Sequence, residues 1–279
     1  MQDADLSAWI GRRLTTTDHL TEERAAFLTA LLDRDAPPSA GEAVMPSWSF
    51  MLFAPPVRRR DAGRDGHPSD SVLNLPAGAD RRMWAKSQIR VTEPIRVGER
   101  LTRETTVADI TRKDGRSGAL LFVTLDHEIT GDRGARLEDR QTILYRDAVP
   151  PPKPPEAPED PGFAPDWSHE VAPDELMLFN YSAVSRNPHR IHYDQPYATG
   201  VEGYPGLVIH GPLIGTWLLE WLERECPGRA VAGVTVTARR PLFLPEGFTV
   251  RGRVEGDAFR VAAQDRHGAI NMTAEGRFV

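Results

Sequence analysis

The chain has 279 residues, of which 40% are hydrophobic and 27% are charged, so a packed core is expected and global disorder is excluded. Its formal net charge of -6 gives no basic footprint for nucleic acid, and its single cysteine, Cys226, excludes an intrachain disulfide framework and a thiolate zinc cluster. The sequence contains no run of apolar residues long enough for a membrane span, and its acidic N-terminus lacks an apolar signal core, so we expect a cytoplasmic location.

The first part of the chain combines one helix with strands. Residues 21–33 predict an amphipathic helix, with Thr21 as the N-cap and acidic residues in the first turn. Residues 119–129 and 140–145 show partial alternation of apolar and polar side chains, which is typical of half-buried strands. Glycines between the strand patterns, such as Gly115 and Gly131, predict turns of an antiparallel meander.

A proline-rich stretch provides the clearest boundary in the sequence. Residues 149–165 read VPPPKPPEAPEDPGFAP, and proline fixes φ and lacks a backbone donor, so neither helix nor central strand is expected there. We therefore expect a semi-rigid linker. It divides the chain into an N-terminal half, residues 1–148, and a C-terminal half, residues 166–279.

The two halves share a short pattern. Residues 94–102 read PIRVGERLT and residues 241–249 read PLFLPEGFT, with Pro94 and Pro241 separated by 147 positions (241 − 94). In both, a turn leads into an alternating segment, at residues 102–110 and 249–254. A shared turn and strand indicates duplicated domains.

The C-terminal half contains one strongly apolar helix among strands. Residues 211–224, GPLIGTWLLEWLER, are apolar nearly all round, and a helix of this kind must be buried on most sides. Strand patterns follow at residues 232–238, 259–263 and 269–278. One buried helix wrapped by an antiparallel sheet is the hot-dog arrangement, so an α+β fold is predicted.

Polar side chains concentrate in residues 179–198, FNYSAVSRNPHRIHYDQPYA, and three interpretations compete for them. His189, His192 and Asp194 would suit a metal, but Pro188 disfavours the continuous helix that this spacing needs, and no metal is expected. Each residue taken singly would suit an ordinary loop. The concentration of the set favours acid–base chemistry.

The same segment resembles the signature of the MaoC-like R-specific enoyl-CoA hydratases. Tyr181 falls on the aromatic position and His192 on the catalytic histidine, whereas Asn187 replaces the catalytic aspartate. This variant is similar to the hydroxyacyl-thioester dehydratase type 2 branch, which includes hydratases of mesaconyl-, methylfumaryl- and itaconyl-CoA. Residues 81–101, RRMWAKSQIRVTEPIRVGERL, also fit that branch. The resemblance implies a double hot-dog fold, each half an antiparallel sheet around a central helix, with the N-terminal half degenerate.

The resemblance also implies a hydratase or dehydratase of 2-enoyl or 3-hydroxyacyl thioesters. His192 is expected to be the base, with Asn187 bonding to the water or product hydroxyl and His189 as the reserve base. The residues expected to bind substrate are Gly211, His189, Arg190 and Tyr181. Gly211 begins the buried helix, where backbone N–H groups suit the enolate oxygen.

Several alternatives stay open at this point. Arg190 would hold a second carboxylate of the substrate, or would pair with Asp194 or a CoA phosphate. The aromatic segment 45–53 of the N-terminal half is expected to form pocket wall, and Trp48 and Trp84 to line an acyl channel or to belong to the core. The site is expected where the two halves meet.

The partner is expected to be an acyl-CoA or an acyl-carrier-protein thioester, with a homodimer as a candidate assembly and with neither nucleic acid nor membrane as a partner. No cofactor is expected. The alternative functions are a non-catalytic acyl-thioester binding protein and a hot-dog thioesterase.

Overall fold

A computed structural model describes residues 6–68, 81–115, 118–146 and 155–279, and within them it forms one antiparallel sheet of ten strands. The strands are β1 (Arg13–His19), β2 (Arg81–Glu93), β3 (Arg100–Gly115), β4 (Gly118–Gly131), β5 (Arg136–Arg146), β6 (Trp167–Val171), β7 (Val231–Ala238), β8 (Phe248–Glu255), β9 (Ala258–Asp265) and β10 (Ile270–Phe278). The α-helices are α1 (Glu22–Leu31), α2 (Glu175–Ser185), α3 (Gln195–Gly200) and α4 (Gly211–Glu225). Short 3-10 turns lie at Leu6–Trp9, Pro46–Met51, Arg59–Asp61 and Arg190–His192.

The order of the strands in the sheet is symmetric about its centre. It runs β1-β3-β4-β5-β2-β7-β10-β9-β8-β6, with five strands on each side of the β2–β7 pair. In that central pair Gln88 lies opposite Thr235, and these residues are separated by the same 147 positions as Pro94 and Pro241. A pseudo-twofold axis therefore passes between Gln88 and Thr235, and the predicted α+β double hot-dog architecture is confirmed.

The predicted strands and helices are present. Each of the strand patterns identified in the sequence lies within one of β3, β4, β5, β7, β8, β9 and β10. The one difference is that the last pattern, residues 269–278, starts one residue before β10. The N-cap prediction is also correct, since the Thr21 hydroxyl accepts a hydrogen bond from the Arg24 amide at 3.1 Å. The elements that the sequence patterns did not predict are β1, β2, β6, α2 and the short α3.

Helix α4 is the core of the C-terminal part of the sheet. It packs on β8, β9 and β10, and on its other side on the 3-10 turn Pro46–Met51. Leu213, Leu218 and Leu219 are fully buried along it. Its buried Glu220 is neutralised by Arg34, at 2.8 Å, so the helix carries no unpaired charge into the core at that position.

The counterpart of α4 in the N-terminal part is the 3-10 turn Pro46–Met51, within the aromatic segment expected to form pocket wall. Phe53 has φ 69 and Pro55 and Pro56 follow it, so the backbone leaves helical geometry soon after the turn. Trp48 is 2% exposed and belongs to the core, whereas Trp84 on β2 is only partly buried. The N-terminal part is therefore degenerate, as the resemblance implies.

Residues 149–154 of the expected linker lie outside the described residues, and residues 155–165 form neither helix nor strand. This segment is attached to the sheet at Glu159. The Glu159 amide donates to the Gly268 carbonyl at 2.8 Å, and its carboxylate accepts from the Ile270 amide at 2.8 Å. None of the helices in the ranges described above could span a membrane.

Candidate active site

The polar segment, residues 179–198, begins inside α2 and continues into the loop that follows the helix. Asp174 caps the start of this helix, accepting from the Met177 amide at 2.7 Å, and Arg186 ends it in the left-handed conformation at φ 53. The Arg186 guanidinium reaches Asp18 of β1 at 2.7 Å. The first residue of the following loop, Asn187, is thus held in place by a contact between the two halves of the molecule.

His192 lies at the end of the 3-10 turn and is 6% exposed. Its Nδ1 is 2.7 Å from the carbonyl oxygen of Val208, and since a carbonyl only accepts, Nδ1 carries the hydrogen. Burial, reinforced by the neighbouring His189, lowers the pKa of His192 to about 3. The imidazole is therefore neutral, with Nε2 as a proton acceptor, which is the state that a general base requires.

A second buried histidine supports the first. His210, the N-cap residue of α4, stacks on His192 with ring centroids 3.6 Å apart. Its Nε2 is 2.9 Å from the Ser182 hydroxyl, and Tyr181 packs edge-on against it at 4.9 Å. Burial lowers the pKa of His210 well below its ordinary value. Tyr181, expected to bind substrate, thus packs against His210.

Asn187 forms a turn with its own loop. Its Oδ1 accepts a hydrogen bond from the His189 amide at 3.0 Å, and its backbone N–H donates to the Ser182 carbonyl at 2.9 Å. The side-chain oxygen is therefore occupied by the backbone. The amide Nδ2 is the group that remains for a substrate or water oxygen.

Arg190 has a protein partner. Its guanidinium binds the Asp194 carboxylate at 2.7 Å and lies over the ring of Tyr197, with 4.1 Å between the guanidinium carbon and the ring centroid. Asp194 also caps α3 by accepting from the Tyr197 amide at 3.1 Å. Among the roles left open for Arg190, this arrangement favours the structural pair with Asp194. Because the Asp194 carboxylate is already bound by Arg190 and by the Tyr197 amide, the arrangement argues against Asp194 as a metal ligand together with His189 and His192.

Gly211 lies at the first turn of α4, beside the N-terminal half. A Cβ added at this position would come within 3.2 Å of the Trp84 ring on β2. The intrahelical hydrogen bonds begin with the Ile214 amide, which donates to the His210 carbonyl at 3.1 Å, so the N–H of Gly211 precedes them. A helix N-terminus with such an N–H favours negative charge on a nearby oxygen.

A loop of the N-terminal half adds two further polar side chains. His67 packs against His189 with ring centroids 4.5 Å apart, and His189 packs against His192 at 5.4 Å. Asp65, His67 and His189 each offer one ligand atom, all within 4.8 Å of one another, so they are the residues that would hold a metal ion here. Burial lowers the pKa of His189 to about 3.

The structure thus brings His189 beside His192 and, through the stacked His210, places His192 next to the start of α4 at Gly211, which faces Trp84. Asn187 contacts the His189 amide, Tyr181 packs against His210, and Arg190 pairs with Asp194. Sequence reasoning missed His210, His67 and Asp65 as members of this cluster. For His210 the signal was its position directly before Gly211 at the start of a buried helix. His67 and Asp65 carried no comparable signal, because the residues they meet are more than 120 positions away along the chain.

Comparisons with known proteins identify the family. The family model for hydroxyacyl-thioester dehydratase type 2 matches residues 47–244. The mesaconyl-C(4)-CoA hydratase of Chloroflexus aurantiacus is 37% identical over 275 residues, which cover 98% of each chain. The mitochondrial hydroxyacyl-thioester dehydratase type 2 of Schizosaccharomyces pombe is 43% identical over 63 residues, 23% of this chain and 21% of that one.

Two solved structures support the fold. A MaoC-like dehydratase superposes with a TM-score of 0.72 at 17% identity, covering 98% of this chain and 100% of the other. A Mycobacterium tuberculosis protein with a double hot-dog fold superposes with a TM-score of 0.63 at 11% identity, covering 97% and 96%.

Proposed function

The chain belongs to the hydroxyacyl-thioester dehydratase type 2 family, and from that premise we propose that it hydrates 2-enoyl thioesters and dehydrates 3-hydroxyacyl thioesters at the site around His192. The observation that carries the proposal is the tautomer of His192. Its Nδ1–H donates to the Val208 carbonyl, so a buried neutral imidazole presents Nε2 to the site.

In the direction of hydration, His192 accepts a proton from water as the water oxygen bonds to the β-carbon. The electron pair of the double bond moves towards the thioester carbonyl, where an enolate oxygen develops. The N–H of Gly211 at the start of α4 stabilises that oxygen. The Asn187 amide donates a hydrogen bond to the attacking oxygen, and a proton added to the α-carbon completes the 3-hydroxyacyl product.

The substrate class follows from the relative of matching length. The hydratase from Chloroflexus acts, by its name, on mesaconyl-C(4)-CoA, and the similarity extends over 98% of both chains. The proposed substrate is therefore a short dicarboxylic or branched enoyl-CoA. Arg190 is not assigned to its free carboxylate, because the guanidinium is already bound to Asp194.

The division into halves is part of the proposal. Residues 1–148 form the degenerate half, residues 149–165 the connection, and residues 166–279 the half that supplies His192 and Gly211. Support comes from the five-plus-five order of the sheet and from the shared offset of 147 positions at its centre.

The test is a spectrophotometric assay with mesaconyl-C(4)-CoA and crotonyl-CoA. Loss of the absorbance of the conjugated double bond, with the 3-hydroxyacyl-CoA identified by mass spectrometry, is the expected result. Release of the free CoA thiol would instead identify a thioesterase. Binding of the thioester without either change would identify a non-catalytic binding protein and would refute the proposal.

A further inference from the structure

The inner face of the N-terminal half is polar at positions where the C-terminal half is apolar. The 147-position offset and the register of the strands relate four polar side chains of one half to four apolar side chains of the other. The corresponding pairs are Ser87 and Val234, Arg103 and Val250, His127 and Val261, and Asp139 and Ala274. The apolar members are buried in the main hydrophobic core together with α4. The polar members therefore occupy the places that pack around a central helix in the other half.

The element that covers this polar face is short. Helix α4 has 15 residues and packs on β8, β9 and β10, whereas the turn Pro46–Met51 has 6 residues and packs on α4 and α2. Two aromatic side chains of the segment 45–53 border the face. The Phe50 ring lies 5.4 Å from the Trp84 ring, and the Phe53 ring centroid lies 4.7 Å from the guanidinium carbon of Arg103. The polar residues thus lie beneath an aromatic segment instead of a central helix.

A row of polar residues divides the core of the N-terminal half. Asp139, His127 and Thr105 are buried and lie opposite one another across β5, β4 and β3. On one side of the row, Leu137 belongs to the main hydrophobic core, and on the other side, Ile143 belongs to a second, smaller cluster. Burying polar side chains costs free energy that apolar residues would not cost, and such departures from good packing are typical of functional sites. The row indicates a surface that binds a polar group.

Arg103 places a positive charge on this face. In the part of the chain that the structure describes, its Nε has no hydrogen-bond partner and its guanidinium forms no ion pair. Burial lowers the pKa of Arg103 to about 10, so the guanidinium is still charged at neutral pH. A partly buried charge without a partner destabilises a protein unless an anion meets it. An anionic ligand is therefore expected at this position.

The two carboxyl groups that lie nearby serve other purposes. Asp18 is bound by Arg24 at 2.8 Å and by Arg186 at 2.7 Å. Asp139 is buried, and burial raises the pKa of its carboxyl to about 7, so this group is mostly neutral below that pH. Neither carboxyl group forms an ion pair with the guanidinium, which is left to bind the carboxylate of a ligand.

Trp84 connects this face with the start of α4. A Cβ at Gly211 would lie 3.2 Å from the Trp84 ring, and the indole N–H donates to the Ser87 hydroxyl at 3.3 Å. The Ser87 hydroxyl in turn donates to the Asp139 carboxyl at 3.2 Å. An acyl chain whose thioester carbonyl is bound at Gly211 therefore reaches the polar face along Trp84.

We propose that the polar face of the N-terminal half is the acyl pocket and that Arg103 binds a carboxylate at the far end of the acyl chain. This inference rests on the proposed hydratase function and names the group that selects dicarboxylic thioesters. A guanidinium binds a carboxylate through two parallel hydrogen bonds. A terminal methyl group would leave that charge unpaired, so Arg103 discriminates against the methyl-ended thioester of the same length.

The experiment measures the binding of saturated acyl-CoAs, which lack the double bond and cannot be hydrated, by calorimetry on the full-length protein. Succinyl-, glutaryl- and adipyl-CoA are compared with butyryl-, pentanoyl- and hexanoyl-CoA, which have the same numbers of acyl carbons but end in a methyl group. Wild type should bind the best dicarboxylic ligand at least about tenfold more tightly than its methyl-ended counterpart. In Arg103→Met and Arg103→Gln the ratio of the two Kd values should fall to about one.

Arg251→Met is the matched control. Arg251 of β8 also has an Nε without a hydrogen-bond partner among the described residues. Its neighbour Val250 faces the core, so the Arg251 side chain lies on the other face of the sheet. This variant should keep the wild-type ratio of Kd values, and circular dichroism confirms that each variant is folded.

Two results would overturn the inference. One is a wild-type ratio near one at all three chain lengths, and the other is a wild-type ratio that survives in a folded Arg103→Met or Arg103→Gln variant. Turnover of crotonyl-CoA by wild type would in either case leave the hydratase function standing. Because the ratio of Kd values does not depend on turnover, failure of the hydratase assay would be recognised separately.

Discussion

The buried histidines predict a steep loss of stability in mild acid. Burial lowers the folded-state pKa of His127, His189 and His192 to about 3, and that of His210 well below its ordinary value. In the unfolded chain these groups titrate near about 6.5. As the pH falls below that value, the unfolded state binds four protons that the folded state does not, so the folded state is destabilised.

Asp139 acts in the opposite direction. Burial raises the pKa of its carboxyl to about 7, whereas the pKa of an unfolded aspartate is about 3.9. Between these two pH values the folded state therefore holds a proton that the unfolded state has lost. The lowered pKa of Asp65 affects stability only below about pH 3.9, where an unfolded aspartate begins to bind a proton. Between pH 4 and 6.5 the net difference is three protons (four minus one), which corresponds to about 4 kcal/mol per pH unit.

A stability of about 5–15 kcal/mol at neutral pH would therefore be lost within a few pH units. The assay is urea unfolding followed by tryptophan fluorescence at pH values from 7.5 to 5. His127→Gln should reduce the slope to about two-thirds, because one of the three net protons is removed, whereas the exposed His267→Gln should leave it unchanged. Stability that is flat or rises from pH 7 to 5.5 would refute the reasoning.

Three further outcomes are expected. Glu99→Ala should lower the free energy of unfolding by about 3–5 kcal/mol, because buried Glu99 accepts from three backbone amides, those of Arg96, Arg133 and Ala135. Its counterpart Glu246→Ala should cost less than about 1 kcal/mol, because Glu246 pairs with the exposed side chains of Arg266 and His267; thermal denaturation compares the two variants. Gly211→Ala should lower kcat/KM about tenfold in steady-state kinetics, since its Cβ would lie 3.2 Å from the Trp84 ring. A kcat/KM equal to that of wild type would argue that the start of α4 does not touch the substrate. Asn187→Asp should remain folded and shift the pH–rate profile, and an unchanged profile would show that residue 187 does not contact the reacting water.

Much of the fold was predictable because it depends on local patterns. Helix α4 is apolar nearly all round, so its burial follows from the sequence. The strands β3, β4, β5, β7, β8, β9 and β10 show their alternation of apolar and polar residues directly. The 147-position offset between the two turns even corresponds to the register of the central β2–β7 pair.

Other elements were not predictable in this way. β1 reads RLTTTDH and lies at an edge of the sheet, where three threonines in a row give no contrast between its two faces. α2 reads ELMLFNYSAVS, and its exposed Leu176 and Phe179 obscure the helical period that the buried Leu178 and Tyr181 would otherwise show.

The site was only partly predictable for a similar reason. His192, Asn187 and Gly211 belong to continuous motifs, so resemblance to a family identifies them. Asp65 and His67 meet His189 through tertiary contacts between the two halves, and no spacing within the sequence expresses that distance. From the sequence, the pairing of Arg190 with Asp194 at an i,i+4 separation is one of several alternatives, and only the contact between the two side chains favours it.

The most direct test of the account is the rate of enoyl-CoA hydration by His192→Ala. Wild type and variant are compared at saturating crotonyl-CoA or mesaconyl-C(4)-CoA, with circular dichroism confirming that both are folded. Because His192 is assigned as the base for water, kcat should fall at least about a hundredfold. A folded variant with near-wild-type kcat would contradict the assignment of His192 and with it the proposed site.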